Sequence, residues 1–500
     1  MRIVYIDVDS LRPDHLGCYG YDRETSPNIN RLASEGVRFT RAYCEGSPCV
    51  PSRASFVSGR FAINHGALTH FGPGGSFYVP GEERYSRRYP LLSRYLREAG
   101  YKTVTISSFG DRHQAWWFFG GWNEIYSHTL KAGNEDANEV NEAVLPWIQA
   151  HGKDDNYFLH IQYWDPHGFY TCPDEFANQF ANQPAPLYPD EETIQKQQSD
   201  IFPRSARLFH WAITPNIPKK MPLEIQSRKD FVRLINGYDG GIAFMDWHLG
   251  QVFEAYRQLG IEDEVCFILS ADHGESFGEQ GIYMEHGMAT ESVHHVPLII
   301  RIPGVTDMGT MCDDFVYNVD VVATIADLVG LPVPDGWDGQ SLLPKLSATA
   351  SGAMSAEHAN DTPTNGSPSA TWQRDKLVLE HGLYACQRAV RDQRWYFIRT
   401  YDQGFYDFPS ITLYDMETDP WQTTNVASEH PQVVQEMDHA ISNWVQANRD
   451  KHGVIPDPME AILDTGPYRY INEAAWIAHL RELGLEDAAR RFERRRRSVY

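Results

Sequence analysis

Short apolar runs alternate with longer amphipathic stretches through the first 346 residues. The strand candidates are residues 3–6, 102–106, 157–163, 265–269 and 297–302, of which 3–6 and 265–269 are continuously apolar, and the helical stretches are 91–99, 139–150 and 230–259. Continuous apolar runs of this length are typical of strands buried on both faces. Strands that alternate with helices predict an α/β fold with a mostly parallel, doubly wound central sheet. Such sheets bind ligands beyond the carboxyl ends of their strands.

One further helix has a recognisable beginning and end. Serine is a favoured N-cap and proline fits the first helical turn, so Ser26-Pro27 predicts a helix start with Ser26 as the cap. Gly36 predicts the end of that helix, about three turns later.

The pattern changes after Leu346. Residues 347–370 are rich in Ala, Ser, Thr, Gly and Pro, which predicts a loop or linker. Beyond it lie four short strand-like runs, at 377–379, 387–390, 395–400 and 411–414, and two helical stretches, at 431–450 and 471–494. We therefore predict a large domain at 1–346 and a smaller C-terminal α+β subdomain at 371–500 that ends in helices.

The charge of the chain excludes some partners. Its 67 acidic and 44 basic residues give a formal net charge of −23. Such a surface repels nucleic acid and anionic membranes, so neither is an expected partner. The arginine-rich run at 490–497 is then better interpreted as a solvated helix end or as a subunit contact in a homo-oligomer. An anionic substrate would need a local cluster of cations or a metal ion.

The cysteines and the N-terminal segment are used to predict the cellular compartment of the protein. The seven cysteines are scattered, odd in number and without a Cys-x-x-Cys pair, which does not predict a disulfide framework. The printed N-terminus has no basic segment followed by a long apolar one, and no apolar run could span a bilayer. We therefore expect a cytoplasmic protein.

The candidate nucleophile is Cys49. The sequence Cys49-Val-Pro-Ser-Arg53, followed by Gly59-Arg60, resembles the signature of the sulfatase family. In that family a dedicated formylglycine-generating enzyme oxidises the motif cysteine to formylglycine. The aldehyde hydrate has two geminal hydroxyls, one of which attacks the ester while the other later expels the bound group. The resemblance implies that Arg53 stabilises this hydrate.

Two further segments strengthen the resemblance. Asp9 follows the first strand, where the family has an Asp-Asp pair and this chain has Asp9-Ser10, and Asp272-His273 follows the strand at 265–269. The resemblance implies one divalent metal ion held by Asp9, Cys49, Asp272 and His273. Calcium is usual in the family, whereas carboxylates also suit Mg²⁺ or Mn²⁺ and an imidazole ligand favours Mn²⁺.

Three residues are candidates for acid–base work or substrate contacts. His167, in an Asp-Pro-His segment that matches the family, would contact the anionic oxygens of the substrate. His286 lies where many sulfatases have a lysine, and an imidazole can protonate a leaving oxygen near neutral pH. Asp272 would also accept the proton of the nucleophile. Asp7 either supplements the metal site or is a buried, hydrogen-bonded carboxylate.

The resemblance covers about residues 1–427 and implies the alkaline phosphatase-like architecture. It implies a sulfatase that hydrolyses a small-molecule or carbohydrate sulfate ester. Ser10, His273 and the missing lysine leave a second hypothesis open, a phosphonate monoester or phosphodiester hydrolase on the same site. A third hypothesis is a non-catalytic binding protein with the same fold, but such a protein does not need the intact Cys-x-Pro-Ser-Arg motif.

Overall fold

The structure of the 500-residue chain is a computed structural model. It describes residues 1–78, 88–209, 221–346, 372–453, 456–467 and 470–498, with side chains up to 494. The predicted linker at 347–370 lies outside the described residues, so the domain boundaries drawn there stay predictions. Among the described residues, no helix is both long and apolar enough to cross a membrane.

Two sheets of unequal size contain most of the strands. The strands, in chain order, are β1 (Arg2–Val8), β2 (Val37–Tyr43), β3 (Gly46–Ser47), β4 (Lys102–Ile106), β5 (Glu124–Tyr126), β6 (Tyr157–Tyr163), β7 (Val265–Ala271), β8 (Ser276–Phe277), β9 (Tyr283–Glu285), β10 (His295–Arg301), β11 (Thr310–Cys312), β12 (Val316–Tyr317), β13 (Lys376–His381), β14 (Cys386–Asp392), β15 (Trp395–Asp402) and β16 (Ile411–Asp415). The large sheet has the order β11-β2-β10-β7-β1-β6-β4-β5, with β12 beside β2. β1 runs parallel to both of its neighbours, β6 and β7, whereas β10 runs antiparallel to β2 and β7. The predicted α/β fold with a mostly parallel sheet is confirmed, and β10 is the exception within it.

Helices lie between the strands along the chain and, in the C-terminal part, after the last strand. They are α1 (Pro27–Glu35), α2 (Cys49–Ser58), α3 (Ala62–His65), α4 (Leu92–Glu98), α5 (Phe109–His113), α6 (Ala137–His151), α7 (Asp174–Asn178), α8 (Glu191–Gln197), α9 (Arg228–Gln258), α10 (Glu291–His294), α11 (Asn318–Leu328), α12 (Pro431–His452), α13 (Pro458–Thr465), α14 (Glu473–Glu482) and α15 (Glu486–Ser498). The helices predicted at 91–99, 139–150 and 230–259 correspond to α4, α6 and α9. α6 begins at a capping box, in which Asp136 and Glu139 each accept a hydrogen bond from the backbone of the other.

The start of α1 is capped from elsewhere in the chain. Pro27 begins the helix and Gly36 ends it, as predicted, but the side chain of Ser26 makes no capping hydrogen bond. The carboxylate of Asp246, on α9, accepts from the backbone amides of Asn28 at 3.0 Å and Ile29 at 2.9 Å. The prediction of Ser26 as the cap is therefore wrong, because a residue over 200 positions away satisfies the free amides.

The C-terminal strands form a separate antiparallel sheet. It has the order β16-β15-β14-β13-β3, so β3 from the N-terminal part of the chain forms its edge. α12 covers one face of this sheet. The helix predicted at 471–494 is wrong in one respect, because it is two helices, α14 and α15. Gly484, between them, has a φ of 73°, the left-handed conformation that ends many helices.

Candidate active site

The predicted site segments meet at one edge of the large sheet. β1, β6 and β7 are adjacent and parallel, so their carboxyl ends lie side by side. Asp9 follows β1, His167 comes shortly after β6, and Asp272 follows β7. Cys49 arrives from outside this sheet as the first residue of α2. The structure therefore brings together residues that are up to 263 positions apart in the sequence.

Asp9, Cys49, Asp272 and His273 form one buried cluster. Each offers a ligand atom, and these four atoms lie within 4.8 Å of one another. Cys49 Sγ lies 3.1 Å from His273 Nε2. His273 Nδ1 lies 2.7 Å from the carbonyl oxygen of Gly274, which can only accept, so Nδ1 carries the hydrogen and Nε2 has the lone pair. Two carboxylates and an imidazole with a free Nε2 fit a divalent metal ion.

Ser10 supports this cluster where the family has a second acidic residue. Its hydroxyl donates to Asp9 Oδ1 at 2.9 Å, and its backbone amide lies 3.2 Å from Asp272 Oδ1. Ser10 also has a φ of 58°, a conformation that few residues other than glycine adopt. Ser10 therefore orients two carboxylates that face the candidate metal position.

Arg53 donates hydrogen bonds to three buried carboxylates. Its Nε donates to Asp7 Oδ2 at 2.8 Å, and its Nη1 donates to Asp9 Oδ2 at 2.9 Å and to Asp272 Oδ2 at 2.5 Å. The guanidinium is fully buried, and its Nη2 has no hydrogen-bond partner among the described residues. Asp7 also lies 3.4 Å from His160 Nε2. Asp7 thus holds Arg53 and lies outside the cluster of candidate ligands.

The two carboxyl groups that share Arg53 Nη1 differ in pKa. Burial opposes ionisation of Asp9, but the charges of Arg53 and nearby histidines outweigh it and lower its pKa. Burial raises the pKa of Asp272 well above its usual range; Arg53 opposes this and the charge of Asp9 adds to it. Without a metal ion the pair therefore favours protonation of Asp272 over protonation of Asp9, and a divalent cation would favour ionisation of both.

Unmodified Cys49 is a poor nucleophile in this setting. Burial raises the pKa of its thiol well above the usual range, and the carboxylates of Asp9 and Asp272 raise it further. The thiolate, rather than the thiol, is the reactive form of cysteine. The site therefore favours chemistry at a modified Cys49 over direct attack by sulfur.

His286 lies beside the cluster and holds a proton at neutral pH. Its ring centroid is 4.3 Å from that of His273, and its Nδ1 lies 3.3 Å from Glu275 Oε1. Burial acts to lower the pKa of His286, but the hydrogen bond to Glu275 and the charges of Glu285 and Glu275 raise it to about 9. A protonated imidazole next to the nucleophile is suited to protonating a leaving oxygen.

His167 shares the pocket in the opposite protonation state. Its ring centroid is 5.7 Å from that of His286. Burial lowers its pKa to about 3, and its Nδ1 donates to the carbonyl oxygen of Gly168 at 2.9 Å. The structure therefore brings all five predicted catalytic residues, and the predicted metal ligands, together at one site; their roles stay predictions. Neighbouring histidines whose pKa values are pushed apart mark acid–base sites in enzymes.

Sequence reasoning missed two contributors to this pocket. One is Glu275, which contacts His286. It directly follows the Asp-His-Gly segment in the sequence, and this closeness to two candidate metal ligands was a usable signal. Arg112, on α5, lies with its guanidinium 5.0 Å from the ring of Trp164 and affects the pKa of Cys49 and His167. The sequence around Arg112 contains no motif that would have indicated a role for it.

Comparison with known proteins places this site in a family. A model of the sulfatase family matches residues 2–331. The chain is 22% identical over 535 aligned residues to an N-acetylglucosamine-6-O-sulfatase of Bacteroides thetaiotaomicron, with 94% of this chain and 90% of the relative covered.

Solved structures agree on the fold. A structure in complex with its substrate D-glucosamine-2-N,6-O-disulfate superposes with a TM-score of 0.68 at 19% identity, covering 92% of this chain and 99% of the other. The phosphonate monoester hydrolase of Agrobacterium radiobacter superposes with a TM-score of 0.64 at 21% identity, covering 90% and 96%. With its nucleophile motif, its strand-end carboxylates and a family match that covers about two thirds of its length, the chain belongs to the sulfatase family and is a sulfuric ester hydrolase.

Proposed function

We propose that this chain hydrolyses sulfate esters of carbohydrates. The observation that carries the proposal is the buried cluster of Asp9, Cys49, Asp272 and His273 with the protonated His286 beside it. The relative from Bacteroides thetaiotaomicron is named for a sulfated amino sugar, and one similar structure contains a disulfated glucosamine. Both names support a carbohydrate as the alcohol part of the ester.

The side chains suit this hydrolysis as follows. A divalent ion, when bound, would attract the sulfuryl oxygens and lower the pKa of the nucleophilic hydroxyl. Asp272, whose carboxylate lies within 4.8 Å of Cys49 Sγ and is ionised when the metal is bound, accepts the proton that the nucleophile loses. Arg53 keeps the carboxylates in place, and its Nη2, which has no hydrogen-bond partner among the described residues, is available to stabilise the hydrate of the modified Cys49. His286 donates a proton to the departing sugar oxygen, while Glu275 holds the imidazole in position.

The identity of the metal follows from the donors only in part. Carboxylate oxygens suit Ca²⁺, Mg²⁺ and Mn²⁺, and the imidazole of His273 favours Mn²⁺ among them. We propose Ca²⁺, the usual ion of the family, with Mn²⁺ as the alternative. Elemental analysis of the purified protein, before and after chelation and reloading with each ion, decides between them.

The test of the proposed function compares esters that differ in the transferred group. The kcat/KM values of N-acetylglucosamine 6-sulfate, 4-nitrophenyl sulfate and 4-nitrophenyl phenylphosphonate are measured on one preparation whose formylglycine content is known from peptide mass. We expect both sulfates to exceed the phosphonate, and the sugar sulfate to exceed the aryl sulfate. Equal turnover of the two sulfates would contradict the carbohydrate class.

A second candidate function is hydrolysis of phosphonate monoesters or phosphodiesters. Ser10, in place of a second carboxylate, and His273 favour it, and a phosphonate monoester hydrolase shares the fold. A phosphonate kcat/KM well above that of both sulfates would support this candidate and overturn the proposal above.

A further inference from the structure

An arginine and a glutamate beside the catalytic histidine form an incomplete ion pair. Arg204 Nε lies 3.7 Å from Glu285 Oε2, which is longer than a hydrogen bond, although the two side chains are only 17% and 7% exposed. Nη1 of Arg204 is buried and has no hydrogen-bond partner among the described residues. Native proteins rarely leave buried polar groups unpaired, so this pair has hydrogen-bonding capacity left for a ligand.

The backbone holds Arg204 in this place. Arg204 has a φ of 66°, a left-handed conformation that few residues other than glycine adopt. The backbone amide of Tyr283, the first residue of β9, donates to the carbonyl oxygen of Arg204 at 2.9 Å, and Ser205 forms an isolated β-bridge with Ile282. Such a conformation persists only where the surrounding structure imposes it, often at functional sites. Because β9 ends at Glu285, the same contacts bring Arg204 and Glu285 together.

The pair adjoins the reacting atoms. Glu285 Oε1 lies 3.8 Å from His286 Nε2, and a ring nitrogen of His286 lies within 4.8 Å of Cys49 Sγ. Nδ1 of His286 faces Glu275, so Nε2 is the nitrogen that donates to the departing oxygen. Since hydrogen bonds to Nε2 and to Glu285 are both about 3 Å long, a group that contacts Glu285 lies on a carbon atom close to the ester oxygen.

The charges of the pair select the kind of group that binds there. The guanidinium of Arg204 and the carboxylate of Glu285 cancel each other, so the pair attracts neither a second anion nor a cation. A neutral hydroxyl can donate to the carboxylate and accept from the guanidinium at the same time. Both of these hydrogen bonds have an ionised partner and are therefore stronger than those between neutral groups.

We propose that Arg204 and Glu285 bind a hydroxyl group of the leaving alcohol, on a carbon atom close to the sulfate ester. This inference rests on the proposed function in taking that alcohol to be a polyol such as a sugar. The pair selects a polyol ester over a plain alkyl ester, because an alkyl group leaves the buried polar atoms of both residues unpaired.

The experiment compares two esters that differ by one hydroxyl group, 2-hydroxyethyl sulfate and ethyl sulfate. Their kcat/KM values are measured on one metal-loaded preparation of known formylglycine content, and the ratio of the two is the readout. The charge of Arg204 also acts on Glu275, but an effect on the catalytic acid is common to both esters and cancels in the ratio. We expect the wild type to prefer the hydroxyethyl ester by about tenfold or more, the usual effect of a hydrogen bond to a charged group.

The variants separate the two contacts. Arg204→Met keeps the length of the side chain and removes its donors, so the ratio should fall to within about threefold of one, whereas Glu285→Gln keeps an acceptor without its charge and should lower the ratio by about threefold. The control is Arg301→Met. Arg301 is 11% exposed with its Nε 3.4 Å from Glu35 Oε2, and it pairs with Phe267 near the start of β7, away from the site, so the ratio should not change.

A ratio near one in the wild type, or a ratio that Arg204→Met leaves unchanged, would overturn the inference. The proposed function fails separately. If the enzyme prefers phosphonates, the 2-hydroxyethyl and ethyl esters of phenylphosphonic acid give the same ratio and still decide on Arg204 and Glu285. If N-acetylglucosamine 6-sulfate is not turned over, a tenfold ratio that Arg204→Met removes still supports the hydroxyl site, and the carbohydrate class alone is contradicted.

Discussion

Replacing Arg53 by methionine removes the cation that three buried carboxylates share. Asp7, Asp9 and Asp272 all lie within hydrogen-bond distance of this guanidinium, and the side chains are almost completely buried. Removing one partner of a buried ion pair typically costs about 3–5 kcal/mol of folding free energy. The methionine side chain is similar in length to that of arginine and is apolar, so we expect it to occupy the same buried space and to retain the packing of α2.

The variant can limit this loss by binding a proton. Protonating one aspartate at pH 7 costs about 1.4 kcal/mol for each unit above its ordinary pKa near 3.9, or about 4 kcal/mol. The folded variant then binds one proton more than the folded wild type, so the loss of stability relative to the wild type shrinks as the pH falls toward 3.9. We therefore expect a loss of about 4 kcal/mol at pH 7 that shrinks to about 2 kcal/mol at pH 5.5.

A divalent ion replaces part of the lost charge. It would bind next to Asp9 and Asp272, and binding to the folded state alone raises stability in proportion to the logarithm of the ion concentration over its Kd. Excess Ca²⁺ should therefore raise the unfolding midpoint of Arg53→Met more than that of the wild type. The measurement is urea unfolding at pH 7 and pH 5.5, in chelator and in excess Ca²⁺.

The control is a pair of the same type at the surface. Arg399 Nη1 lies 2.7 Å from Asp438 Oδ1, and both side chains are more than a third exposed. Arg399→Met should change stability by less than about 1 kcal/mol, because exposed ion pairs contribute little. A loss at Arg53 as small as that at Arg399, or one independent of pH, would refute the reasoning.

Three further outcomes are expected at the catalytic residues. Cys49→Ala should abolish turnover of sulfate esters without unfolding the protein, and full activity of this variant would contradict the mechanism. Cys49→Ser should accumulate a covalent sulfate ester that is detectable by intact mass. Cys49 is 1% exposed, so the modifying enzyme should oxidise it only before the chain folds. The assay is the peptide mass of folded and of urea-unfolded protein after treatment with that enzyme, and equal conversion of the two would contradict this expectation. His286 acts as the acid, so kcat/KM should fall as the pH rises through the pKa of His286. Glu275→Gln removes a carboxylate that raises this pKa, so the decrease in kcat/KM should occur at lower pH in that variant.

The catalytic end of the fold could be predicted because its residues follow strands. Asp9 and Asp272 each come three residues after the end of a continuous apolar run, and such runs pair in parallel with their carboxyl ends together. Their proximity in space therefore follows from local pattern plus one topological rule. Cys49 needed the family signature, since no pattern around 46–58 shows that this segment reaches the same edge.

Contacts between distant segments could not be predicted in the same way. Asp246 caps α1, and Tyr470 orients His70 across 400 positions. Both are hydrogen bonds between side chains or backbone groups whose meeting depends on how whole elements pack. The break at Gly484, by contrast, was open to prediction, because glycine near the end of a helical stretch is a common stop signal.

Charge within the site explains how so acidic a chain binds an anion. Three carboxylates around one guanidinium leave a deficit of two positive charges when all are ionised, and one divalent ion cancels it. The next positive charges are those of His286, which pairs with Glu275, and of Arg112. The pocket therefore attracts a single negative charge only with the metal in place. Chelation should therefore weaken the binding of inorganic sulfate more than the replacement of any single histidine of the site, since it changes the sign of the local field as well as removing contacts.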